Sequence, residues 1–333
     1  MKWHHHTTAL LALSVLTAGL FYAALAFGVT TLPWAAVIGS LSGATDTAAT
    51  IVREVRLPRA LLALLIGSGL GISGAALQAL LRNPLAEPGV LGISAGSALG
   101  AVIAFYSGLS LQFAFALPLG GLLGAAGVTG GLYLLARRQL STVGLILAGA
   151  AINSFAGACI ALLLNLAPNP YAAYEITFWL MGSITDRSLV HVWLVAPFML
   201  VGITMLVRQA PPLDVLVLGE ETAHSLGVDI ATLRRRIILG TALAVGPGVA
   251  IAGAIGFIGM LVPHVLRAWL GNQPRLIVPA SALGGAALTL AADLLVRVTL
   301  THGELKLGVI TGLLGAPLFL LIAMRMTAER HGR

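Results

Sequence analysis

Few residue groupings in this chain could do chemistry. The run Gly69-Leu70-Gly71-Ile72-Ser73-Gly74 is a literal GxGxxG. That pattern grips a dinucleotide only after a strand, at the opening of a helix in a soluble βαβ unit. Here it lies inside the apolar run 57–81. Gly67, Gly71 and Ala75 read instead as one helix face that lets a neighbouring backbone come close. The pairs Gly120/Gly124, Gly127/Gly131 and Gly308/Gly312 read the same way. No GxxxxGK[ST] nucleotide loop, HExxH metal helix or GxSxG nucleophile elbow occurs. No catalytic residue and no metal site is assigned, and if ATP drives this chain, another polypeptide must bind it. Cys159, the single cysteine, sits in an apolar run and reads as packing. His4-His5-His6 carries no assignment.

Ionisable residues within the apolar runs are scarce. Asp293 and Arg297 stand one helical turn apart and can pair. His264 follows Pro263 near the end of another run. A proton-coupled carrier needs costly intramembrane carboxylates or histidines as a relay. Their shortage favours an external source of energy over an ion gradient.

The elements that position these residues follow from composition. Hydrophobic residues make up 58% of the 333 and charged residues 9%, with a mean hydropathy of +0.97. Soluble domains carry about a quarter charged residues, so the solvent of this chain is lipid. Its 40 glycines suit close helix packing. A span needs about 20 apolar residues. Such runs occur near 8–28, 57–81, 89–107, 113–135, 143–165, 190–208, 276–298 and 306–325. The stretch 233–269 suits two spans, broken near 250 beside Gly246-Pro247-Gly248. The expected fold is therefore all-α, a polytopic membrane protein of about ten transmembrane helices forming one domain over residues 1–333.

Ten spans put both termini on one side. With that side as the cytoplasm, thirteen Lys and Arg fall inside and six outside. This bias follows the positive-inside rule and accounts for the net charge of +7 without nucleic acid as a partner. It leaves one anomaly, the outer cluster Arg53, Arg56 and Arg59. The most polar inner segment, about 211–230, begins at Pro211-Pro212 and contains Asp214, Leu218, Gly219, Glu220, Glu221, Ser225, Leu226 and Gly227. It reads as one or two short amphipathic helices at the surface. Glu220, Glu221 and Asp229 are repelled by anionic headgroups, which favours a protein partner over a resting place on lipid. Between the second and third runs, Arg82-Asn83-Pro84-Leu85-Ala86-Glu87-Pro88-Gly89 cannot be helical throughout. Spacing alone leaves it either a simple connection or part of a gate.

Three stretches together resemble the iron-chelate and vitamin B12 permease family of FecCD type. They are Arg56-Leu57-Pro58-Arg59, Gly74-Ala75-Ala76-Leu77-Gln78 and Asn83 through Gly92. So do Gly253 through Gly259 with Pro263-His264, Ala292-Asp293, and Gly308 through Gly312 running to Gly315-Ala316-Pro317. The resemblance implies a type II ATP-binding-cassette (ABC) importer permease in the bacterial inner membrane. Two copies would surround one pathway lined by spans 5, 8 and 10. Two ATP-binding subunits would dock from the cytoplasm on the segment containing Asp214–Val228, holding the ATP and Mg while this chain binds no cofactor. A periplasmic substrate-binding protein would meet Arg56, Arg59 and Arg297. The cytoplasmic gate would be Asn83 and Leu85 with Ser141 and Thr142. The expected cargo is a metal chelate: an iron-siderophore, with haem or cobalamin as alternatives.

Overall fold

The computed structural model describes residues 2–28, 30–113, 115–137, 142–167, 169–299 and 305–331. Among them are ten principal helices and no strand. They are α1 (Lys2–Ala26), α2 (Thr47–Leu81), α3 (Ile93–Tyr106), α4 (Ala116–Arg137) and α5 (Thr142–Asn165), followed by α6 (Leu189–Arg208), α7 (Ile230–Ala252), α8 (Ile258–Leu270), α9 (Pro274–Thr299) and α10 (Leu307–His331). Seven are long and apolar enough to cross a membrane, and the described parts of α3, α8 and α10 are shorter apolar helices. The end of the bundle bearing Ala210–Ser225 is termed inner and the opposite end outer, following the arginine bias.

Helix α2 is the axis. In its most apolar window 89% of residues are buried, against 17% for α5. Glycines make this possible. A Cβ on Gly67 would collide with the Gly285 carbonyl of α9, one on Gly71 with the Ser281 carbonyl, one on Gly69 with Ala244 of α7, and one on Gly74 with Gly259 of α8. Gly120 and Gly124 meet Gly100 and Gly96 of α3 in the same way, and Gly308 meets Met181 and Ala254. At Gly127, Gly131 and Gly312 a methyl group would have nothing within 4 Å, so the packing role expected for them fails within this chain. Without a strong hydrophobic drive between helices in lipid, such close backbone approach is what holds spans together.

The expected break in 233–269 is present, a few residues beyond 250. Pro247 is inside α7, and the chain leaves the helix at Gly253 (φ +73°) to run without helix to Phe257 (φ +66°). Gly246 and Gly248 pack closely against Ala125 and Ile66, so neighbouring helices stabilise the proline-bearing turn. Two helices consequently start within the bundle. Gly259, at the beginning of α8, lies against α2 at Gly74, and Phe257 against Gly315 of α10. Gly92, just before α3, lies against Gly149 and Ile152, two turns inside α5. At 14 and 13 residues, α3 and α8 are about 20 Å long, short of the ~30 Å hydrocarbon core.

Candidate functional site

Three regions hold the residues expected to function. The first is at the outer end. Arg56, in the π-helical stretch Ile51–Arg56 that opens α2, is 5% exposed. Its guanidinium donates to the Leu25 carbonyl (2.9 Å) and the Ala26 carbonyl (2.5 Å), and also to the carbonyl and hydroxyl of Thr30. A cation thus sits on the last carbonyls of α1, where the helix dipole favours it; the Ala26 carbonyl also accepts the Leu32 N–H at 3.0 Å. Three residues on, Arg59 Nε donates to Asp293 Oδ1 of α9 at 2.8 Å, and Arg297 donates to Asp293 Oδ2 and to the Ala24 carbonyl (2.8 Å). Asp293 is fully buried. The pairing of Asp293 with Arg297 was expected from the sequence; its second arginine, 234 residues away, was not. The structure brings Arg56, Arg59 and Arg297 together around α1, α2 and α9, each donating at least one bond inside the chain, while Arg297 Nε is buried without a hydrogen-bond partner.

The second region is the connection between α2 and α3. Arg82 ends α2 in a left-handed conformation (φ 46°). Asn83 Oδ1 accepts the Leu85 N–H at 3.0 Å, and the Ala86 N–H returns to the Asn83 carbonyl at 3.1 Å. Asn83 thus builds its own tight turn, the local chemistry Asn is suited to. The 3₁₀ turn Pro88–Leu91 then leads into α3. This connection meets the irregular stretch before α8. Pro88 touches the site of Gly259, and the Glu87 carboxylate faces the Phe257 backbone N–H. Gln78 Nε2 reaches the Gly259 and Met260 carbonyls at 3.4 and 3.3 Å. Two non-helical stretches at depth therefore support each other, as such backbone must when it is not lipid-exposed. Sequence reasoning gave Glu87 no role; its signal was a carboxylate between two prolines in an apolar region. Ser141, expected to oppose Asn83, lies outside the described residues, and Thr142 is the first residue of α5.

The third region is the inner segment. Two short helices, Ala210–Leu216 and Glu220–Ser225, bury Leu213, Leu216 and Ala223 against the bundle. Their outer face leaves Leu218 64% and Leu226 62% exposed beside exposed Glu221, Ser225 and Gly227. Gly219 (φ 117°) and Gly227 (φ 86°) make the turns at either end of the second helix. Glu220 lies 3.7 Å from Arg234 and remains half exposed. Asp214 is used internally, since Oδ1 accepts the Arg275 N–H in the first turn of α9 at 2.7 Å. Arg82 donates to the Leu216 carbonyl at 2.6 Å, tying this segment to the end of α2. Among the described residues no group of three His, Cys, Asp or Glu could hold a metal ion.

Comparison with known proteins places this architecture among transporters. Residues 15–325 match the FecCD transport family. The chain is 43% identical over 279 residues to the vitamin B12 import system permease protein of Vibrio cholerae, covering 83% of each. It is 37% identical over 293 residues to the hemin transport system permease protein of Yersinia pestis, covering 84% of each. A solved metal-chelate type ABC transporter in an inward-facing conformation superposes with a TM-score of 0.85 at 30% identity, over 96% of this chain and 99% of that one.

Proposed function

Because the chain belongs to the FecCD transport family, a family of ABC transporter permeases, we propose that it forms the membrane pathway of an importer that carries a metal chelate inward on energy from separate ATPase subunits. The observation that carries this reading is the inner segment. Leu218 and Leu226 are exposed apolar residues in the turns on either side of the helix that begins with Glu220 and Glu221, and the helix before it is anchored to α2 and α9 through Arg82–Leu216 and Asp214–Arg275. An apolar patch with an acidic rim suits a protein partner, and the two anchors let a push on that patch reach the bundle. ATP and Mg belong to the partner. A second copy of this chain would cover the exposed apolar face of α5, which includes Leu147 and Phe155, 64% and 69% exposed. The arginine bias supports the cytoplasmic membrane with both termini in the cytoplasm.

At the outer end, docking of a substrate-binding protein would use the Arg56, Arg59 and Arg297 cluster. Arg56 is occupied by the end of α1, so a docking partner would sense mainly the field of the cluster, which sets encounter rate more than affinity. Asn83 and Leu85, at the mouth of the non-helical stretch, would form the inner gate with Ser141 and Thr142. The cargo we favour is an iron-siderophore, with haem and cobalamin as the alternatives; the permease would alternate between two states that its partners bias. The test is ATP hydrolysis by the reconstituted complex with each chelate in turn. Stimulation by an iron-siderophore alone supports the favoured cargo, stimulation by haem or cobalamin alone replaces it, and no stimulation by any chelate contradicts the importer reading.

A further inference from the structure

The cavity of about 300 Å³ at the inner end, between α2, α8 and α9, is lined by Gln78, Arg82, Val217, Arg267, Asn272 and Pro274 among others. No Asp or Glu is among its lining residues. Arg267, in the last turn of α8, is half-buried, and no acceptor among the described residues meets its guanidinium. Arg82 spends one donor on the Leu216 carbonyl and has others to give. A half-buried cation without a counter-charge is costly, and two guanidinium groups sharing a cavity repel unless an anion lies between them. The size is at the small end of ligand pockets, which run about 300–1,000 Å³. That suits a phosphate group and its immediate ester, and excludes a bulky chelate. Trp269, two residues beyond Arg267, is 75% exposed, as an aromatic side chain is at a membrane–water interface.

From this geometry we propose that Arg82 and Arg267 form a binding site for a phosphate group, supplied by the headgroup of an anionic phospholipid of the inner leaflet. Guanidinium groups match phosphate oxygens with paired, charge-assisted bonds, and basic pockets between spans on the cytoplasmic side suit acidic headgroups. The bound phosphate would join α8 to the inner segment through Arg82 and Leu216. This inference needs only that the chain spans a membrane, and stands apart from what it transports.

The test uses the full chain in nanodiscs of phosphatidylcholine doped with phosphatidylglycerol, scoring lipid retained by native mass spectrometry. Retention of phosphatidylglycerol should fall about tenfold in Arg267→Gln and Arg82→Gln, the loss of roughly one charged hydrogen bond. It should survive in Arg267→Lys and in Arg235→Gln, which removes an inner arginine away from the cavity. Equal retention by wild type and Arg267→Gln would overturn the proposal, as would an equal loss in Arg235→Gln. Melting of each variant in pure phosphatidylcholine shows that it is folded. Stabilisation there by added inorganic phosphate, abolished in Arg267→Gln, would overturn the lipid assignment in favour of the free ion.

Discussion

Arg59 and Asp293 meet at 2.8 Å across the outer end of the bundle, joining α2 to α9 with Asp293 wholly buried. Arg297 holds the other oxygen of the same carboxylate, and its side chain is 6% exposed. One buried anion is therefore shared by two largely buried cations, which leaves the trio with a net positive charge. Removing one partner of a buried pair costs far more than the pair contributes, because the remaining charge is left without compensation.

Asp293→Ala should accordingly destabilise the folded permease by about 3–5 kcal/mol, read as a large fall in melting temperature in detergent. The triple variant Asp293→Leu, Arg59→Leu, Arg297→Met should recover most of that loss, because no buried charge is left unpaired. A single variant that melts like wild type would remove the network from the account.

Gly74→Ala places a methyl group on the Gly259 carbonyl, where α2 and α8 cross. Overpacking of this kind costs about 1–3 kcal/mol, occasionally more. Gly127→Ala is the matched control, with nothing within 4 Å. Yield of folded protein by size-exclusion chromatography should fall for the first and hold for the second.

How much of this was legible in the sequence depends on the range of the interaction. The ten expected spans correspond to the ten principal helices, because span length is set by a local quantity, hydropathy over about 20 residues. The break expected near 250 is present and starts at Gly253, a few residues past Gly246-Pro247-Gly248, because packing against Ala125 and Ile66 keeps that proline-bearing turn helical. The late start of the third helix was hidden, since Gly89 through Gly92 is as apolar as the helix that follows, yet Pro88–Leu91 forms a 3₁₀ turn. The outer arginines stood out as a charge anomaly, but the Asp293 that answers Arg59 is 234 residues distant, and no local pattern encodes that contact. Asp214 read as part of a surface for a partner; only the fold shows it held by the Arg275 N–H.

The inner segment gives a prediction about coupling. Glu220→Lys with Glu221→Lys reverses the acidic rim and replaces the Glu220–Arg234 approach with repulsion. Membrane insertion and melting temperature should stay near wild type, since Glu221 is exposed and Glu220 is half exposed with only a long approach to Arg234. Chelate-stimulated ATP hydrolysis should drop at least tenfold; full stimulation would remove this segment as the coupling surface.

Asn83→Ala removes the side chain that accepts the Leu85 N–H. The turn at the inner mouth should loosen, raising ATP hydrolysis in the absence of cargo while stability changes by about 1 kcal/mol. Unchanged basal hydrolysis would separate Asn83 from the gate.

The most direct measurement is uptake of a labelled metal chelate into proteoliposomes that hold this chain with its ATPase subunits, with the binding protein supplied on the side of the Arg59–Asp293 network. Accumulation should require ATP on the side of Leu218 and Leu226 and should persist when proton and sodium gradients are collapsed. Accumulation by this chain alone, driven by an imposed ion gradient without ATP, would contradict the account.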